Sequence, residues 1–102
     1  MGDLGRFTEP AALILVSLAN GPKHGYAMME DIEHLCGVRL GPGTLYGALS
    51  RLEAQGLIVP LPEEERRRPY RLTAAGADAL RSGLKDLEQV AAIGLRRLAG
   101  AS

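Results

Sequence analysis

Apolar residues in this 102-residue chain recur at helical spacing in three successive stretches, shift to a short strand-like pattern, and return to helical spacing at the end. Residues 11–19 (AALILVSLA) form the longest apolar run. Thr8 can cap a first helix, Glu9 and Pro10 suit its initial turn, Ile14, Leu15 and Leu18 share a face, and Asn20-Gly21-Pro22 closes it. A second, short helix is predicted from His24-Gly25, with Tyr26, Met29, Ile32 and Cys36 on its buried side and Gly37 as its stop. In the third, Gly41 takes the cap and Pro42 the first helical position, and Leu45, Leu49 and Leu52 recur until Gln55-Gly56. Residues 57–59 and 70–73 then read as the strands of a hairpin around a charged tip. Pro60 and Pro69 have no N–H to donate and limit that ladder to a short or edge pairing. Thr73 caps a long last helix from Ala74 to about Leu98, about 37 Å at 1.5 Å per residue.

Helix, helix, helix, hairpin, helix is the order of a winged helix-turn-helix with a C-terminal extension, a mainly α fold with a small β-hairpin. It divides into a winged-helix unit over residues 1–73 and a long terminal helix over residues 74–102, expected to form one structural unit. Twelve Lys plus Arg balance twelve Asp plus Glu, so any charged binding surface is local. The lone Cys36 forms no intramolecular disulfide and supplies no cysteine metal site, which points to a reducing compartment and the cytoplasm. The apolar run is about half the ~20 residues of a membrane span. Asp3 and Glu9 against Arg6 do not make the basic start of an export signal, and Arg6 stands where a myristoylation signal needs Ser or Thr.

Three segments carry a more specific signal: Gly21-Pro22-Lys23-His24-Gly25-Tyr26, Leu40-Gly41-Pro42-Gly43-Thr44-Leu45-Tyr46, and Arg68-Pro69-Tyr70-Arg71-Leu72-Thr73-Ala74-Ala75-Gly76. With Leu49, Leu52-Glu53 and Gly56-Leu57-Ile58 between them, the chain over roughly residues 10 to 80 resembles the PadR-like family of transcriptional regulators. The resemblance implies that the third helix enters DNA, that the hairpin is the wing, and that the C-terminal helix makes a dimer, as in the shorter family members. It also implies regulation by repression. Gly41 replaces the serine frequent before Pro-Gly-Thr, and Gly47 the proline frequent after Leu-Tyr. Gly41 still caps, at a few tenths of a kcal/mol relative to Ser. Gly47 costs about 1 kcal/mol relative to Ala inside a helix and suggests close approach of a sugar-phosphate strand.

On the third helix Gly43, Gly47, Ser50 and Ala54 face away from the leucine seam, flanked by Thr44, Tyr46 and Arg51. This is a small polar surface able to sit deep in a major groove, or an ordinary solvated face. Tyr46 either packs with its hydroxyl on a phosphate or only packs. Arg66, Arg67 and Arg68 follow Glu63-Glu64-Glu65 on the return side of the tip and suit the minor groove or flanking phosphates. The glutamates either orient the arginines or repel phosphates. Lys23 and His24 are phosphate contacts before the second helix or plain turn residues.

In the last helix Leu80, Leu84, Leu87, Ala91, Gly94 and Leu98 alternate steps of four and three, a heptad seam with a small middle. It packs either on a second copy, with Phe7 of the first segment, or on the chain's own first helix. Gly41-Pro42-Gly43 lacks the spacing and the Lys-Ser/Thr of a phosphate loop, and no base, nucleophile or metal cluster has supporting neighbours, so neither an enzyme nor a bound cofactor is expected. The expected function is that of a homodimeric regulator of transcription, a repressor on a two-fold DNA operator. Relatives that take aromatic ligands leave a small hydrophobic effector open, without a Trp to stack on it. The rival expectation is a winged-helix protein-interaction module without DNA binding.

Overall fold

The computed structural model describes residues 9–101. In chain order its elements are α1 (Pro10–Leu18), β1 (Lys23–His24), α2 (Gly25–Cys36), α3 (Pro42–Ala54), β2 (Ile58–Pro60), β3 (Pro69–Leu72) and α4 (Ala74–Ala101). Thr8 and Phe7 lie outside the described residues. Helix α1 has Glu9 at its N-cap, without a side-chain cap bond, and Pro10 in the first turn. It ends at Leu18, a little before the expected Asn20-Gly21-Pro22.

The core joins Ile14, Leu15 and Leu18 of α1 to Met28 and Ile32 of α2, Leu40, then Leu45, Ala48, Leu49 and Leu52 of α3, and Ile58 of β2. Helix α1 is its hub and touches α2, α3, β3 and α4. This arrangement places α3 and the wing on the same body, so α3 cannot move without disturbing the leucine seam beneath it.

The buried side of α2 differs from the expected one. Met28 and Ile32, four residues apart, form the seam, whereas Tyr26 is 57% exposed, Met29 half-buried and Cys36 exposed. Gly25 leads this face because Tyr46 of α3 lies over it: a Cβ at residue 25 would stand 2.6 Å from the Tyr46 hydroxyl oxygen. The missing side chain at 25, rather than the apolar one at 26, determines how α2 meets α3.

The sheet has three antiparallel strands in the order β1-β3-β2. Strand β1, Lys23–His24, was not anticipated; it pairs Lys23 with Tyr70 and His24 with Pro69, while β2 pairs Ile58 with Leu72 and Pro60 with Tyr70. Both prolines lie inside strands, for reasons that follow from strand alternation. The Leu61 N–H donates to the Pro69 carbonyl at 2.8 Å, so at the preceding Pro60 the missing N–H faces the open edge. At Pro69 the loss falls on the ladder, and Arg68 Nη1 donates to the otherwise unmet Leu61 carbonyl at 2.7 Å.

Helix α4 begins as expected. The Thr73 hydroxyl accepts from the Gly76 N–H at 3.0 Å and donates to the Gly56 carbonyl at 2.7 Å, which fixes the helix start to the end of α3. Gly76 is buried against the chain before β2, where a Cβ would lie 1.9 Å from the Leu57 carbonyl oxygen. Beyond Leu80, which packs on the core, the helix projects. It runs 28 residues to Ala101, slightly past the expected end, and gives the molecule its 56 Å long axis.

Candidate nucleic-acid interface

Helix α3 starts on Gly41 in an extended conformation, with Pro42 in its first turn. Burial of Leu45, Leu49 and Leu52 turns Gly43, Thr44, Tyr46, Ser50, Arg51 and Ala54 outward, with Gly47 half-buried. The side chains of Thr44, Ser50 and Arg51 make no hydrogen bond or ion pair with any described residue. Around Gly47 the fold leaves room: a Cβ there would have Arg51 Nη1 at 3.6 Å as its one near neighbour. Nothing inside the protein requires a glycine at that position.

The wing tip is a two-residue turn. Glu64 and Arg67 exchange backbone hydrogen bonds of 2.8 Å in both directions, and Glu65 and Arg66 between them have φ of 48° and 68°. A type I′ turn needs positive φ at both central positions. The turn points Arg66, Arg67 and Arg68 back toward the helices. Arg66 has no partner among the described residues, Arg67 Nη1 lies 3.1 Å from His24 Nε2, and Arg68 is held on Leu61. No glutamate of the wing forms an ion pair with these arginines among the described residues.

A cleft of about 360 Å³ joins the three elements, lined by His24, Gly25 and Tyr26 of the α2 start, Tyr46 of α3, and Glu63, Arg66, Arg67 and Arg68 of the wing. Beside it Tyr70 is only partly accessible. Burial raises its phenol pKa above the ordinary 10.0, the Glu53 and Tyr46 charges act in the same direction, and Arg68 opposes them.

The structure places Lys23 against the body of the fold. Its ammonium donates to the Ser17 carbonyl and the Asn20 side chain and lies 4.0 Å from Asp31 Oδ2, which also accepts from the Ser17 hydroxyl at 2.7 Å. With 18% of its side chain exposed, Lys23 ties the end of α1 to α2 instead of facing outward. His24 Nδ1 accepts from the Ala27 N–H at 3.3 Å and caps α2.

Among the described residues no three His, Cys, Asp or Glu side chains come together as a metal site, and no helix is long and apolar enough to cross a membrane. A helical body, a short sheet whose hairpin stands beside α3, and a long trailing helix define a winged helix-turn-helix protein. Comparison with known proteins gives the family: residues 14–82 match the transcriptional regulator PadR-like family, and the chain belongs to it. Members are regulators of transcription that in general bind DNA.

A transcriptional regulator of Mycobacterium tuberculosis is 40% identical over 81 residues, covering 76% of this chain and 75% of that protein. An uncharacterized 37.1 kDa protein in a transposon of Streptomyces fradiae is 53% identical over 75 residues, 74% of this chain but 22% of its own length. The crystal structure of a PadR family transcription regulator from Clostridium difficile superposes with a TM-score of 0.79 at 26% identity, covering 87% of this chain and 97% of that one. A PadR family regulator from Eggerthella lenta gives 0.74 at 31% identity over 95% and 86%.

Proposed function

We propose that the protein is a homodimeric, cytoplasmic repressor that reads a two-fold DNA operator, with α3 in the major groove and the wing on the adjoining minor groove or phosphates. The observation that carries this reading is the set of unpartnered side chains Thr44, Ser50 and Arg51 on the outward face of α3, together with a cleft that joins Tyr46 of the same helix to the unpartnered Arg66 and to Arg67 and Arg68 of the wing. In this reading Thr44 and Ser50 meet base edges and the arginines take phosphates. The Tyr46 hydroxyl adds a donor, and Gly47 admits a strand close to the helix backbone. Lys23 supports the fold beneath. Residues 1–73 form the reading unit and residues 74–102 the dimerisation helix, whose Leu84, Leu87, Ala91, Gly94 and Leu98 meet their copies.

Fluorescence anisotropy with duplex DNA at several salt concentrations tests it. Replacing Arg66, Arg67 and Arg68 by Ala weakens specific and non-specific binding together, and each lost phosphate contact lowers the log–log salt slope by about 0.9. Parent binding that does not depend on salt, or a triple variant with the parent's slope, would leave the chain as a protein-interaction module.

A further inference from the structure

His24 stands where three elements meet. Its backbone ends β1 opposite Pro69, it is the N-cap of α2, and its ring reaches the wing. On one side Nδ1 lies 3.3 Å from the Ala27 amide nitrogen; on the other Nε2 lies 3.1 Å from Arg67 Nη1. Both of these neighbours are N–H donors.

A neutral imidazole has one acceptor nitrogen and one N–H. With its proton on Nε2 the ring caps Ala27 and presents an N–H to Arg67. With the proton on Nδ1 it accepts from Arg67, and the Ala27 amide loses its cap. The ring therefore satisfies one of two donors at a time. Nothing else in the described structure bonds the Arg67 guanidinium, and the strand that ties the wing to the helical body on this side is only two residues long.

We infer that His24 is a positioning residue for DNA reading, which parks the Arg67 guanidinium at the mouth of the cleft and releases it when a phosphate arrives. The inference rests on the DNA-binding reading above. Parking costs the helix its cap, so release restores the Nδ1 contact to Ala27. The fold thereby favours handing Arg67 to the phosphate over keeping it. Arg68 is not released in this way, because the Leu61 carbonyl it bonds has lost its strand partner to Pro69. Arg66 needs no release. The three arginines thus differ in kind although they are adjacent in sequence: one free, one exchangeable, one fixed.

His24→Asn separates the two roles, since asparagine is as good a helix cap but is too short to reach the wing. The variant is expected to melt at or slightly above the parent temperature and to bind a mixed-sequence DNA duplex at least as tightly as the parent, up to about threefold more tightly, because Arg67 no longer gives up a hydrogen bond before it meets a phosphate. Arg67→Ala binds about threefold to tenfold more weakly, as for one charge-assisted hydrogen bond to a phosphate, and with no guanidinium left to hold, the double variant binds as Arg67→Ala alone does. In the free protein the Arg67 side-chain NMR signal shifts in His24→Asn. His24→Ser, a second cap-competent variant, gives the same pattern, so a fold lost in one does not stand in for the result. Weaker binding in both cap variants, a double variant that differs from Arg67→Ala alone, or an unmoved Arg67 signal overturns the inference. If the parent binds no duplex at low salt, the DNA-binding reading fails instead, and the Arg67 signal still decides whether His24 holds the wing.

Discussion

Helices α3 and α4 both carry leucines at helical spacing, yet Leu45 and Leu49 of α3 are buried whereas Leu84 and Leu98 of α4 stand 46% and 72% exposed. The α3 seam has α1, α2 and β2 to lie on. The α4 seam leaves the body after Leu80, and along the rest of the helix only Ala92 and Ile93 are even half-covered among the described residues. Leu84, Leu87, Val90, Leu95 and Leu98 together form an exposed apolar stripe on a helix of 28 residues. Such stripes mark association surfaces in proteins that stay in solution. A hydrophobic period identifies which face of a helix needs a partner, and only packing identifies the partner.

Two glycines of α4 sharpen this contrast most. At Gly76 an added Cβ would meet the Leu57 carbonyl oxygen at 1.9 Å, a backbone atom that cannot swing aside. Gly76→Ala is expected to cost about 3 kcal/mol, against a helix preference for alanine of about 1 kcal/mol. At Gly83 an added Cβ meets nothing within 4 Å, so Gly83→Ala is expected to gain up to about 1 kcal/mol. Thermal unfolding measures both, and shifts of the same sign would show that α4 does not dock on the body at residue 76.

Next in size is the seam itself. Leu84→Asp with Leu87→Asp places like charges on the exposed stripe of each copy and is expected to give folded monomers, with operator binding weakened ~100-fold by the loss of joint engagement of two half-sites. Light scattering after size exclusion is the measurement. A persisting dimer would move the interface elsewhere and leave α4 to other partners.

The parts of this arrangement that were legible in the sequence are those fixed by local chemistry. Gly41-Pro42 starts α3 and Thr73 caps α4 because a cap depends on residues within one turn. The buried face of α2 was not legible, since Tyr26 and Met29 are as apolar as Met28, and the choice follows from Tyr46 lying over Gly25. Strand β1 was hidden for a related reason: two residues carry no alternation, and their pairing depends on Tyr70 and Pro69, far along the chain. At the interface, the outward face of α3 was readable from its leucines. The inward turn of Lys23 was not, because it depends on Asp31 across the fold.

Tyr70 links the body to the interface, and pH reads its state. Its pKa in the folded protein lies above the ordinary tyrosine value, mainly through burial. The contribution to stability is therefore complete below the unfolded value near 10 and is lost as pH rises toward the folded one. Tyr70→Phe is expected to flatten the alkaline arm of the unfolding curve and leave the neutral region nearly unchanged. An identical alkaline arm would place the pH dependence on other groups.

The smallest expected effect concerns the wing tip, whose turn is held by a backbone conformation that its residues do not favour. Glu65, at φ 48°, occupies the first central position of the type I′ turn, where asparagine is preferred and most side chains pay about 1 kcal/mol. Glu65→Asn is expected to stabilise the protein by about 0.5 kcal/mol. It also removes a negative charge beside the arginines and so should raise non-specific DNA affinity slightly. Glu65→Gln separates the two causes, because glutamine removes the charge without easing the backbone. The asparagine variant should melt higher than the glutamine variant, while both bind duplex DNA alike. Equal melting temperatures would mean that the turn is unstrained at residue 65, and that the wing, like the seam of α4, is shaped by what it meets rather than by its own chain.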